Sequence, residues 1–216
     1  MMQPVTAPRS LKEKQRQERE ELILQAAEEV LAEKGYYETS IDEIAARVGI
    51  AKGTVYLHFP GKEDLVFAIL ERNAQEMVVL VEETVATARS NREKLEAILQ
   101  VVYGGFFDPD KRHLMQLPYI VMNSAELRRV FVEKKGCMRT KWDRLEALIA
   151  SILEDGKAAG EFDKTMPTPV MISAFFSLLS PRSFERLDAS NQISVSDFVK
   201  HLGRFYFKGI VAIQGE

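Results

Sequence analysis

What most constrains this chain is a helical spacing of apolar residues, punctuated by glycines and prolines, with no strand-like alternation lasting more than a few residues. Leu22, Ile23, Ala26, Ala27, Val30 and Leu31 recur in steps of one and three, the pattern of a helix with one buried side. Gly35 follows as a stop, because glycine enters left-handed backbone without strain. Ile41, Ile44, Ala45 and Val48 repeat the i, i+3, i+4, i+7 pattern, and Gly49 ends that segment in turn. A short third helix is predicted over 52–59, where Pro60 forbids continuation. A long fourth is predicted over 62–89. Looser signals place helices near 92–107, 111–117, 125–156, 167–184 and 195–213, with breaks at Asp108-Pro109-Asp110 and Met166-Pro167-Thr168-Pro169. The expected fold is all-α: an N-terminal three-helix head over 1–65, then a helical domain over 66–216.

Composition narrows the setting. No apolar run approaches the roughly 18 residues that span a bilayer. Residues 1–19 are polar and charged and do not read as a secretory signal, so a reducing cytoplasm is the expected location. The single cysteine, Cys137, allows no intrachain disulfide. The net charge of −3 offers no general attraction to nucleic acid. A DNA-binding role must therefore come from where the cations sit, not from their sum.

Residues 40–65 carry the chemistry. Ser40 and Glu43 have the spacing of a capping box. Ala45 is small enough for a second helix to cross closely, Gly49 makes a tight turn, and Ile50 and Val55 fill the angle between the two helices. Helix, glycine turn and second short helix form a helix-turn-helix. The second helix should keep Val55 and Phe59 inward and present Lys52, Gly53, Thr54, Tyr56 and His58 outward. Gly53 leaves room for a close surface. The hydroxyl and methyl of Thr54 suit base edges, while Tyr56, Lys62 and helix-end amides suit phosphates.

On Gly35, Tyr37-Glu38-Thr39-Ser40, Ile44-Ala45, Val48-Gly49-Ile50, Gly53-Thr54, Tyr56, His58-Phe59 and Lys62-Glu63-Asp64-Leu65, residues 16–65 resemble the DNA-binding domain of the TetR family of bacterial regulators. The resemblance implies a homodimer on double-stranded operator DNA, with Thr39, Ser40, Lys52, Gly53, Thr54, Tyr56, His58 and Lys62 at the interface. It also implies a small-molecule effector in the second domain, most simply one that releases a repressor. Ala51 departs from the family, which often has Ser or Thr there. The exchange removes a helix cap worth about 1 kcal/mol.

Beyond residue 65 the chain shows only helical rhythm. Pockets are mainly apolar, so Phe106, Phe107, Met115, Tyr119, Met122, Trp142 and Phe175 are the candidate effector-lining residues, with core packing as the alternative role. Stretches 167–184 and 195–213 are candidates for the dimer contact; the alternative is that they close the monomer core. Helix 62–89 joins the two domains and is the expected lever between them. The N-terminal run Arg9, Lys12, Lys14, Arg16 and Arg19 is interleaved with Glu13, Glu18, Glu20 and Glu21. It reads as a solvated helix face, or as contacts from Arg9 to Arg16 to phosphate or the minor groove. His58, His113 and His201 stand at no metal-ligand spacing, and there is no nucleophile–base pair and no phosphate loop, so neither metal, cofactor nor enzyme activity is expected. An effector-free activator or architectural DNA protein is the competing class.

Overall fold

Ser10 opens the first helix, α1 (Leu11–Glu38), with a complete capping box. Its hydroxyl accepts from the Glu13 amide at 3.2 Å, and its own amide donates to Glu13 Oε2 at 2.8 Å. A computed structural model describes residues 10–107, 114, 117, 118, 121, 136–179 and 193–211, and divides the chain into two units, Met1–Leu70 and Glu71–Glu216. In the first unit, α1 buries Ile23, Leu24, Ala26, Ala27, Val30 and Leu31. Leu22 is exposed instead, because it lies five residues, or about 140° of helix, from Ala27 at the centre of the buried arc. Gly35, at φ 77°, interrupts the helical backbone near the end of α1.

The second helix, α2 (Ile41–Val48), is capped by Ser40, whose Oγ accepts from the Glu43 amide at 3.3 Å. The reciprocal half of the expected capping box does not form: the Glu43 carboxylate is drawn 2.7 Å from Lys34 Nζ on α1, a full charge outcompeting a backbone amide. Arg47 ties α2 to α1 more firmly, donating to both carboxylate oxygens of Glu33 at 2.8 Å. Gly49 takes the left-handed conformation (φ 75°, ψ 33°), and the Ile50 amide returns to Ala45 O at 3.0 Å. This turn aims α3 (Lys52–His58). The fourth helix, α4 (Lys62–Thr87), runs past the division at Leu70.

In the second unit, α5 (Asn91–Phe107), α6 (Gly136–Ala158), α7 (Thr168–Leu178) and α8 (Val195–Ile210) build one apolar core with the later part of α4. Two tyrosines satisfy their hydroxyls in it: Tyr103 donates to Leu178 O at 2.6 Å and Tyr206 to Met171 O at 2.8 Å. The Glu161 carboxylate caps α5, accepting from the Asn91 side chain at 2.8 Å and the Arg92 amide at 3.2 Å. Ser194 caps α8 through the Asp197 amide at 3.1 Å. Gly156 is bare for a packing reason, since a Cβ there would lie 2.2 Å from the Phe162 ring. The expected helix over 125–156 is described only from Gly136, and that over 111–117 lies largely outside the described residues, as does everything of 167–184 beyond Leu179. No described helix is long and apolar enough to cross a membrane.

Candidate nucleic-acid interface

Seven residues are too few for a stable isolated helix, so α3 stands because its neighbours hold it. Val55 is its one buried residue, and Phe59 just beyond it is buried as well. Ala51 supplies no side-chain cap. Lys52, Gly53, Tyr56 and Leu57 lie exposed and Thr54 half-buried. The helix thus presents a hydroxyl, a phenol and an aliphatic side chain around a glycine, a set able to meet base edges, phosphates and thymine methyls.

Two residues expected on the outward side are turned in. Thr39 is 4% exposed and donates from Oγ1 to Gly35 O at 2.7 Å, bracing the interrupted end of α1. The His58 side chain is 7% exposed, with Nδ1 3.1 Å from Glu20 Oε1, so it fastens the end of α3 to α1. Ser40 remains exposed, with its Oγ engaged in the α2 cap. Lys52 is outward but paired, its Nζ 2.6 Å from Asp42 Oδ2; that hydrogen bond raises its pKa. Lys62 Nζ sits 4.3 Å from the centre of the Tyr36 ring and donates to Tyr37 O at 3.4 Å, with partial burial lowering its pKa.

In the second unit the expected effector-lining residues fall in different places. Phe175 is fully buried, edge-on to Tyr206 with centroids 5.3 Å apart. Phe106 and Phe107 are half-buried against the core, and Phe107 stacks on Tyr103. Trp142, on α6, is 45% exposed. Met115, Tyr119 and Met122 lie outside the described residues. A solvent-open groove of about 540 Å³ runs between α6 and α7, lined by Glu146, Pro169, Ile172, Ser173, Phe176 and Ser177.

Residues 23–69, which hold the whole turn and α3, match the family model for bacterial regulatory proteins of the tetR family. Residues 23–69 thus form a TetR-family domain. Among curated relatives, the transcriptional activator FasR of Mycolicibacterium smegmatis is 38% identical over 93 residues, 43% of this chain and 41% of that protein. The fatty acid metabolism regulator protein of Bacillus subtilis is 34% identical over 77 residues, 36% of this chain and 40% of that protein. The matched segments thus span about two fifths of these relatives. A crystal structure of the regulator FadR from Bacillus subtilis in complex with stearoyl-CoA shares the fold, at TM-score 0.69 and 20% identity, covering 88% of this chain and 98% of that one.

Within this TetR-family head, sequence reasoning passed over Leu57, which is 81% exposed on α3. The signal was present: Val55 and Phe59 already occupy the inward positions, and a helix this short has no further inward place for a leucine.

Proposed function

We propose that this chain is a ligand-responsive transcriptional regulator, a homodimer that represses from an inverted-repeat operator until a small apolar effector enters its second unit. One observation carries the DNA half: α3 commits Val55 alone to the core and turns Lys52, Gly53, Tyr56 and Leu57 outward on a TetR-family head. Reading an operator with specificity takes two such helices about 34–36 Å, or a multiple, apart on the duplex.

The homodimer uses the 167–184 and 195–213 stretches. On α7 the small residues Ser173, Ala174 and Ser177 are exposed beside Val170, which suits close helix approach, and on α8 Phe205 is 79% exposed. Phe198, Tyr206 and Ile210, which share the apolar side of α8, are buried within their own unit. A long acyl chain is the effector class. The relative named for fatty acid metabolism and the stearoyl-CoA held by the similar FadR structure support this choice, as do the half-buried Phe106 and Phe107. Effector binding shifts the population toward a head spacing that no longer fits the operator, through α4. The relative named as an activator supports a second reading, activation from the same operator contact.

The test is selection of duplexes from a random pool by the full chain, followed by titration with stearoyl-CoA. An enriched inverted repeat, released as stearoyl-CoA is added, is the expected result. No enrichment would refute the DNA reading, and operator binding indifferent to stearoyl-CoA would refute the acyl effector. A reporter gene behind the selected operator decides between repression and activation.

A further inference from the structure

We propose that the N-terminal overhang of α1 is a second DNA contact, a cationic strip that grips phosphates beside the groove entered by α3; this rests on the DNA-binding reading of α3. The core of the head starts at Ile23, yet α1 starts at Leu11, so residues 11–22 extend about 18 Å of exposed helix beyond it. Lys12, Arg16 and Arg19 continue, in alternating steps of four and three, the same line that then runs through the buried Ile23, Ala26 and Val30. One edge of the core-facing side therefore changes from apolar to cationic where the protein beneath it ends, while Glu20 and Glu13 continue its other edge. Glu13, Glu18, Glu20 and Glu21 all lie about 70° or more from the middle of the strip, Glu18 and Glu21 toward the outer side of the helix and Glu13 and Glu20 along the other edge of the core-facing side.

Lys12, Arg16 and Arg19 are exposed along this edge, open to an anionic neighbour, and the head points to DNA as that neighbour. Residues 10–70 hold eight Lys and Arg against twelve Asp and Glu, so the head has no bulk attraction for a duplex. Every cation of the helix-turn-helix and its flanks is engaged within the head: Lys34 by Glu43, Arg47 by Glu33, Lys52 by Asp42 and Lys62 by Tyr36 and the Tyr37 carbonyl. Lys12, Lys14 and Arg19 form no ion pair among the described residues, and Arg16 shares Glu20 with His58. That shared carboxylate also fixes the geometry, because His58 ends α3: the strip leaves the head directly beside the reading helix. A duplex held by α3 presents several phosphates over the length of the strip.

The experiment measures affinity of the full chain for a duplex of fixed, arbitrary sequence across a salt series. Lys12→Gln/Arg16→Gln/Arg19→Gln is expected to weaken binding and to flatten the slope of log affinity against log salt by about 0.9 per lost contact, so about 2–3 per subunit. Arg19→Gln alone loses about 0.9 per subunit, while Lys14→Gln, on the opposite side of the helix, changes neither slope nor affinity. Arg16→Lys/Arg19→Lys keeps the wild-type slope, which separates charge from any effect on folding. An unchanged slope in the triple variant overturns the inference, as does an equal loss from Lys14→Gln, which would reduce the effect to net charge. So does a triple variant that binds DNA normally but changes oligomeric mass by light scattering, since the strip would then face a second copy. If the wild-type chain itself binds no duplex, the reading of α3 has failed first and the strip falls with it.

Discussion

Gly156→Ala should destabilise the second unit, against the ordinary rule for a helix interior. Alanine normally gains about 1 kcal/mol over glycine there. In α6, however, the new Cβ would lie 2.2 and 2.3 Å from Cδ2 and Cε2 of Phe162, more than an ångström inside the usual carbon contact of about 3.5 Å. The ring has nowhere to retreat: Phe162 is buried and stacks on Phe207 with centroids 6.5 Å apart, and the amides of Glu161 and Phe162 both return to Gly156 O, at 2.8 and 3.2 Å. With the ring unable to retreat, the cost falls at the top of the usual overpacking range, about 2–3 kcal/mol, and less the helix-propensity gain the net loss should be about 1–2 kcal/mol. Phe162→Ala alone should cost about 3–5 kcal/mol. With the ring removed, the helix-propensity gain is all that remains, and Gly156→Ala should then stabilise by about 0.5–1 kcal/mol. The two changes therefore couple by about 2–3 kcal/mol, with a reversal of sign. Urea unfolding of the full chain, followed by the fluorescence of Trp142, reads this directly, because the single tryptophan sits on α6 itself. A more stable Gly156→Ala protein, or the same cost with and without the Phe162 ring, would refute the reasoning.

Other consequences are as open to measurement. Val55→Ala removes the one buried side chain of α3 and should cost about 2 kcal/mol, with weaker operator binding, by urea unfolding and gel shift. Asp42→Asn frees Lys52 from its 2.6 Å ion pair, so duplex affinity should rise and the salt slope steepen by about 0.9 per subunit; unchanged binding would deny Lys52 a phosphate. Thr54→Ala and Leu57→Ala should alter which sequences are enriched from a random pool, with little change in salt slope. Burial pushes the Tyr103 phenol up to about 12 from 10.0, so its stabilising effect is complete below pH 10 and is lost as pH rises from 10 toward 12. Tyr103→Phe should cost about 1 kcal/mol at neutral pH through loss of the hydrogen bond to Leu178 O, and should flatten the alkaline loss of stability seen by circular dichroism.

The head was legible because its signals are local. Gly49 must turn, Pro60 must stop, and the inward spacing of Val55 and Phe59 follows from a single short helix. Side-chain direction at the margins was less legible, because it depends on residues distant in sequence. His58 turns inward because Glu20, thirty-eight positions earlier, stands beside it; Thr39, by contrast, turns inward for a local reason, the carbonyl that Gly35, four residues earlier, offers where α1 is interrupted. Glu43 leaves its capping role for Lys34 for the same kind of reason as His58. In the second unit, periodicity placed helices but could not rank aromatic residues by depth. Phe175 and Trp142 look alike in sequence, yet one is fully buried and the other half-exposed, because only packing between α6, α7 and α8 separates them.

Within α3 the division of labour between Val55 and the outward residues reaches beyond this molecule. A helix pinned by Val55 and fastened at its end by His58 can exchange Thr54, Tyr56 or Leu57 without disturbing what holds it in place. On the proposed reading of α3, changes in the DNA word therefore carry little folding penalty, and duplicated copies can drift toward new operators one residue at a time. Stability and vocabulary are inherited separately, along opposite sides of the same seven residues.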